Sequence, residues 1–240
     1  MPSAGSPDQA DRKTPLPPTR PIGASDLAEL CDADEQLLRQ SLSKPAPGKK
    51  TRVALIPDAA TIAWHHAREE FVAEELKRGK TQIKGAIIGD TPGQRAWIIW
   101  TRTVNGDPSS KYDKDNKLDV LRIVVEEADD IVREDFVDLA NVTESDNPQP
   151  IINGSGVGTQ VQKIASLLVA AQREAAKSLL AEVHAWNPTP TVIQAAKLAY
   201  PEVGAVVHRE SQSITSLKWY GEGSALEDVD WIGNEKYGWC

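Results

Sequence analysis

Between Ile83 and Glu127 the chain holds three apolar runs of strand length, and this stretch constrains the fold more than any other. The runs read IKGAIIGD, QRAWIIWTRT and KLDVLRIVVEE. Asp90, Pro92 and Gly93 break the first gap, and Asn105, Gly106, Asp107 and Pro108 open the second. Val, Ile, Thr and Trp dominate the runs, as a half-buried pleated surface prefers. A parallel return needs a crossover of about a dozen residues or more, so short turn-forming connections imply an antiparallel meander. Trp97 to Trp100 is continuously apolar, which predicts a strand covered on both faces.

The chain before and after this stretch reads as cover. Residues 1–24 carry six prolines among Ser, Gly, Asp and Lys, which predicts a disordered tail or linker. Ser25 opens a helix with a stripe of Leu27, Leu30, Cys31, Leu37, Leu38 and Leu42. Thr51 to Ile56 suits a short strand or an extended entry, and Asp58 caps the helix TIAWHHAREEFVAEELKRG, which Gly79 stops. After the meander, residues 126–146 hold nine acidic residues and one arginine, so the segment reads as a long acidic insertion, at about 127–152. INGSGVGTQ then runs into the most regular helix, where Val161, Ile164, Ala165, Leu168, Ala171 and Ala175 keep the 3.6-residue period. A short strand EVHAW, a helix TPTVIQAAKLAY, strand-like AVVHRE and a closing strand at 228–237 complete the order. The reading is one α/β (α+β) domain at 25–240.

Charge and cysteine usage exclude several classes. A net charge of −8 and a pI near 5.1 argue against general nucleic-acid binding, which needs a basic footprint. No apolar run approaches the ~20 residues that span a bilayer, and the N-terminus has no signal-type core. Cys31 and Cys240 make no disulfide framework, so the expectation is a cytoplasmic protein with reduced thiols.

The order of elements resembles that of the GNAT acyltransferases: two helices, an antiparallel meander, a central helix, a strand, a helix and a final hairpin. The resemblance implies that the central helix begins with a Gln/Arg-x-x-Gly-x-Gly/Ala loop whose N–H groups hold the pyrophosphate of coenzyme A. Glycines let backbone approach phosphate closely, and a helix N-terminus favours anions. Asn153, Gly154, Gly156 and Gly158 have the spacing and become the candidate cofactor cradle, with acetyl-CoA as the cofactor if the chain is active. Asn153 departs from the Gln or Arg of the pattern, and the acidic insertion separates the loop from its strand. A plain glycine loop before a helix is the alternative. A dinucleotide fingerprint would need a glycine at Thr159, and a P-loop would need Gly-Lys-Ser/Thr.

Acyl transfer to an amine needs a base for the amine and an acid for the departing thiolate. By position, Glu126 or Glu127 is the candidate base and Tyr200 the candidate acid. Each has a structural alternative, as a solvated or packing residue. His65 and His66 point about 100° apart on a helix, which is wrong for joint metal ligation. Pairing with Glu69 and Glu70 on the helix surface accounts for them. No metal is expected.

Several segments together are similar to the C-terminal half of the fungal lysine N6-acetyltransferase family. They are ASDLAELCDADEQLLRQSL, ALIPDAATIAWHHAREEFVAEEL, KGAIIGDTPGQRAWIIWTRT, LDVLRIVVEE, EVHAWNPTP, VVHRESQSITSLKWYGEG and VDWIGNEKYGWC. The resemblance implies a GNAT-like fold in a family chain of two halves that acetylates free L-lysine with acetyl-CoA, the first half carrying the acetyl-CoA loop. This sequence is expected to lack that first half, as a lone substrate-binding or supporting domain whose partner is a GNAT half in cis or in trans. Trp219, Tyr220, Glu235 and Tyr237 lie in the matching motifs. They are the candidates to face a cationic amine with a carboxylate and aromatic rings, or else to pack. An active small acetyltransferase using residues 153–158 and a non-enzymatic interaction module are the alternatives. The resemblance also implies a place in fungal lysine catabolism, while the acidic charge and the short apolar runs lead to the expectation of no nucleic-acid or membrane partner.

Overall fold

The computed structural model describes residues 15–46, 48, 50–106, 112–126, 155–202, 218–220 and 228–239, with the backbone alone for 155–157. Residues 1–14, the acidic insertion, Asn153, Gly154 and AVVHRE lie outside the described residues. In chain order the elements are β1 (Arg20–Ile22), α1 (Ala24–Ser43), β2 (Thr51–Val53), α2 (Ala59–Glu75), β3 (Gly85–Ile88) and β4 (Ala96–Val104). They continue with β5 (Asn116–Val125), α3 (Ser155–Lys177), β6 (Glu182–Ala185), α4 (Pro190–Ala199) and β7 (Val229–Trp231), and a short 3-10 helix at Lys236–Gly238.

The three apolar runs form the expected antiparallel meander: Ile87 lies opposite Trp97, and Ile98 opposite Ile123. β6 adds beside β5 in parallel, because the chain crosses back through α3. The five-stranded order is β1-β3-β4-β5-β6. Gly85 is required where β3 meets β4, since a Cβ there would sit 2.2 Å from the carbonyl oxygen of Ile98.

Both faces of the sheet are covered, as the unbroken apolarity of Trp97 to Trp100 implied. On one face Ala96, Ile98, Trp100, Leu118 and Val120 pack against Ala165, Leu168 and Ala171 of α3 and Ala195 and Ala199 of α4. On the other, Ile22, Ile87, Trp97, Ile99 and Leu121 pack against Leu30 and Cys31 of α1, Ile62 of α2 and Tyr237. Arg102, near the end of β4, ties the two layers together through Glu69 of α2 at 2.9 Å and Glu174 of α3 at 2.6 Å.

Three expectations are corrected. The ordered chain begins before residue 24: Arg20–Ile22 pair antiparallel with β3, and Ile22 is fully buried. Pro21 is tolerated because β1 is an edge strand, where no neighbour needs its missing N–H. The strand expected at 228–237 is cut to β7, which pairs in parallel with β2 in a separate two-stranded sheet, with Arg52 and Asp230 paired at 2.9 Å across it. Gly233, at φ +61°, turns the chain out of that strand. His65 and His66 are not surface partners of Glu69 and Glu70. Both are buried, and both reach across to backbone carbonyls.

Candidate functional site

The chemistry-bearing side chains converge where β5 outruns β6. The two strands pair only from Lys117 with Glu182 to Val120 with Ala185. β5 continues to Val125. A bulge lies where the pairing ends: Trp100 faces Val120 while Ile99 faces Arg122, so Leu121 is an extra residue in β5. The extra residue carries Leu121 into the core under α1, and Arg122 also reaches α1 rather than the apolar core under α3.

Arg122 is the centre of the cluster. Its Nε and Nη2 each donate to Asp34 at 2.7 Å, in the two-pronged fork that suits guanidinium and carboxylate. Its Nη1 donates to Glu235, and its guanidinium lies 5.6 Å from the centre of the Tyr237 ring. The second oxygen of Glu235 accepts the backbone N–H of Ile123 at 3.1 Å. Burial pushes the Glu235 carboxyl above its ordinary range, and the charge of Asp34 adds to this against the pull of Arg122. Two carboxylates share one buried cation there.

Tyr237 fixes the segment that carries Glu235. Its hydroxyl lies 2.6 Å from the carbonyl oxygens of both Leu55 and Gly233, and its own carbonyl accepts the Nε2–H of His65 at 2.9 Å. From the β6 side, Asn187 donates to the carbonyl of Asn234, and the Lys236 ammonium stands 4.3 Å from the Trp186 ring centre. Burial holds both His65 and His66 below the ordinary histidine range, so they are neutral donors rather than cations.

Of the sequence candidates, Glu235 and Tyr237 are brought together. Glu126 ends β5 on the α1 side, some distance along the strand. Its oxygens accept the N–H of Gly93 at 2.7 Å, the N–H of Arg95 at 2.9 Å and the Arg95 guanidinium at 2.7 Å. Burial alone would raise its carboxyl, but Arg95 and the two N–H groups outweigh that and hold it below the usual range. Tyr200 packs against the core of α3 and α4, on the opposite face from Glu29 and Arg95. It is not brought to Glu126. Tyr220 is 84% exposed and stacks with Lys218 at 5.1 Å, while Trp219 is half-buried beside it. Glu127, Asn153 and Gly154 lie outside the described residues. Gly156 and Gly158 fall in the first turn of α3, where backbone N–H groups have no partner within the helix. Among the described residues, a Cβ at Gly158 would meet nothing within 4 Å.

The sequence reading missed Arg122, Asp34, Trp186, Asn187 and Lys236. Two of these left a signal. Arg122 interrupts the apolar run LDVLRIVV, and Asp34 continues the stripe Leu27, Leu30, Cys31 and Leu38 by helical spacing. A charge on an apolar face announces a buried partner. Among the described residues no group of three or more His, Cys, Asp or Glu could hold a metal ion, and no helix is long and apolar enough to cross a membrane.

The GNAT fold family generally binds acetyl-CoA. On β5 beyond its pairing with β6, the Ile123 N–H is already taken by Glu235 and is not available to such a group as folded. Comparison with known proteins found no matching curated protein and no matching solved structure. The family model described as the LYC1 GNAT-like C-terminal domain matches residues 3–240. The meander, the parallel β5–β6 pair crossed by α3 and a match over nearly the whole chain agree, and the chain belongs to this GNAT-like C-terminal domain family.

Proposed function

We propose that this chain is a supporting, substrate-binding half of a lysine N6-acetyltransferase of fungal, cytoplasmic type, which works with an acetyl-CoA-binding GNAT half in cis or in trans. One observation carries the reading: the Glu126 and Glu235 carboxylates near the end of β5 are both committed to arginines. Glu126 is clamped by Arg95 and Glu235 by Arg122. An amine base must turn a lone pair toward the amine at a pKa suited to proton transfer. Glu126, held below its usual range, suits an anchor instead. The domain name of the matching family, a C-terminal domain, supports a half that follows another. L-lysine is the substrate this reading assigns to the pair of halves.

A second reading, an active small acetyltransferase, is favoured by Gly156 and Gly158 in the first turn of α3. Its cradle would offer N–H groups to phosphate there.

The experiment is acetyl-lysine formation from acetyl-CoA and L-lysine. The purified chain is assayed alone and with the N-terminal half of a family member. The expected result is no turnover by the chain alone and faster turnover by the half when the chain is added. Turnover by the lone chain, lost on Gly156→Asp, would establish the second reading and remove the first.

A further inference from the structure

Residues 15–21 read PLPPTRP, and each of them except Thr19 is a proline or precedes one. Proline fixes φ near −65°, and the residue before a proline is pushed into the extended region. The segment is thereby set on a polyproline II path, which turns once in three residues. Burial repeats with that period. Pro15, Pro18 and Pro21 are exposed, whereas Leu16 and Thr19 are half-buried and Ile22 is buried.

The inner edge is fastened to the domain along its length. Leu16 packs against the core under α3, and Ile22 enters the core under α1. Between them the Ser166 hydroxyl on α3 donates to the Pro17 carbonyl. At the far end the Lys84 N–H donates to the Ile22 carbonyl at 2.8 Å. The outer edge is a row of prolines about 9 Å apart. Arg20 stands beside it with its side chain 46% exposed.

We propose that this strap is a docking ridge for a partner domain that reads polyproline through an aromatic-lined groove flanked by carboxylates. Pro15 and Pro18 seat on the aromatic rings, and Arg20 enters the carboxylate pocket. The spacing Pro-x-x-Pro-x-Arg from Pro15 to Arg20 fits that chemistry. The fold already holds the bound conformation, so little ordering entropy is lost on docking. Arg20 leaves Asp90, at 3.0 Å, and Asp26, at 3.3 Å, to enter the pocket. Exposed pairs of this kind hold weakly, and a partner's carboxylates replace them. The proposal does not rest on acetyl transfer: β3 and β4 lie between β1 and the β5 strand that carries Arg122.

The test titrates a panel of purified SH3 domains by calorimetry with the full chain and with a free peptide of residues 13–22. A domain that takes the peptide should bind the full chain at least as tightly. Pro18→Ala and Arg20→Gln should each weaken binding of the full chain by about tenfold or more, as loss of an interface anchor does. Thr19→Ala, on the inner edge, should leave it unchanged. Exchange of the Lys84 amide, followed by NMR, shows that β1 stays seated in each variant. Where Pro18→Ala unseats β1, Pro15→Ala, which lies before the strand, takes its place. Binding of the peptide but not of the full chain would show that the fold shuts the ridge, and overturns the proposal. So does a panel that binds neither, or a full chain whose binding ignores the proline and arginine variants or falls equally in Thr19→Ala.

Discussion

Arg122 and Asp34 meet end to end, with Nε and Nη2 of the guanidinium each 2.7 Å from one oxygen of the carboxylate. Both side chains are at most 6% exposed. Asp34 sits on α1 and Arg122 on β5, so the pair fastens a helix to the sheet. Glu235 adds a second carboxylate to the same cation.

Removing the cation would leave the buried Asp34 carboxylate and the partly buried Glu235 carboxylate facing each other. Arg122→Met should therefore cost about 3–5 kcal/mol, the usual cost of breaking a buried pair from one side. Urea unfolding measures it. Adding Asp34→Asn and Glu235→Gln should return most of the loss, because no buried charge then remains. A small loss in the single variant, or no recovery in the triple, would show that the charges are not held as described.

Glu126 should behave as an anchor. Glu126→Gln removes the charge that Arg95 and the N–H of Gly93 address. The expected loss is about 1–3 kcal/mol, with faster hydrogen exchange at Gly93 and Arg95 than elsewhere in β4. Because its carboxyl is held below the usual range in the fold, its stabilisation is present above pH ~4.3 and is lost as pH falls through the folded value. A parent protein whose acid unfolding matches that of Glu126→Gln would contradict this.

The buried histidines set a slope in the opposite direction from Glu235. Burial lowers the folded pKa of His65 and His66, so the unfolded chain binds more protons below pH ~6.5. Their contribution is complete above that value and is lost as pH falls. Glu235, raised by burial, contributes stability at low pH that is lost as pH rises through its folded value. Read in a Glu235→Gln background, unfolding free energy should drop between pH 7.5 and 5.5. His65→Gln with His66→Gln should flatten that drop. A slope that survives the double substitution sinks the assignment.

Gly85 and Gly79 make a matched pair. Gly85→Ala would push a Cβ to 2.2 Å from the Ile98 carbonyl oxygen, so β3 and β4 must part, at a cost of about 1–3 kcal/mol. Gly79→Ala meets nothing within 4 Å and should be neutral or stabilise by about 0.4–1 kcal/mol. Thermal unfolding of the two variants compares them directly, and equal midpoints would refute the packing described at Gly85.

The sequence made the long elements legible and the short ones only in part: Thr51 to Ile56 had a strand as one of two readings, EVHAW was read as β6, β7 was read inside a longer strand, and β1 was read as tail. β3, β4 and β5 were readable because each is an apolar run with turn residues between, and α3 because its period holds from Val161 to Ala175, about four turns. β1, β2 and β7 have three residues each, too few to carry a period. Their identity comes from partners far along the chain, such as Val53 beside Trp231. The site divided in the same way. Glu235 and Tyr237 were reached through family motifs. Arg122 left its charge in an apolar run, but a single bulge, invisible in the residue pattern, decides which face it joins. The two histidines were misread for a related reason: α2 buries a side on which His65, His66 and Glu69 all lie.

The edge strand β1 has a colloidal consequence. β3 is the segment GAII, buried at every residue, and it would be an open template for another chain if its outer edge were bare. β1 covers that edge, and Pro21 gives β1 an outer rim with one donor fewer. A chain trimmed back past Ile22 would keep β3, β4, β5 and β6 but expose an adhesive border. Its first symptom would be turbidity on storage rather than a lower melting temperature.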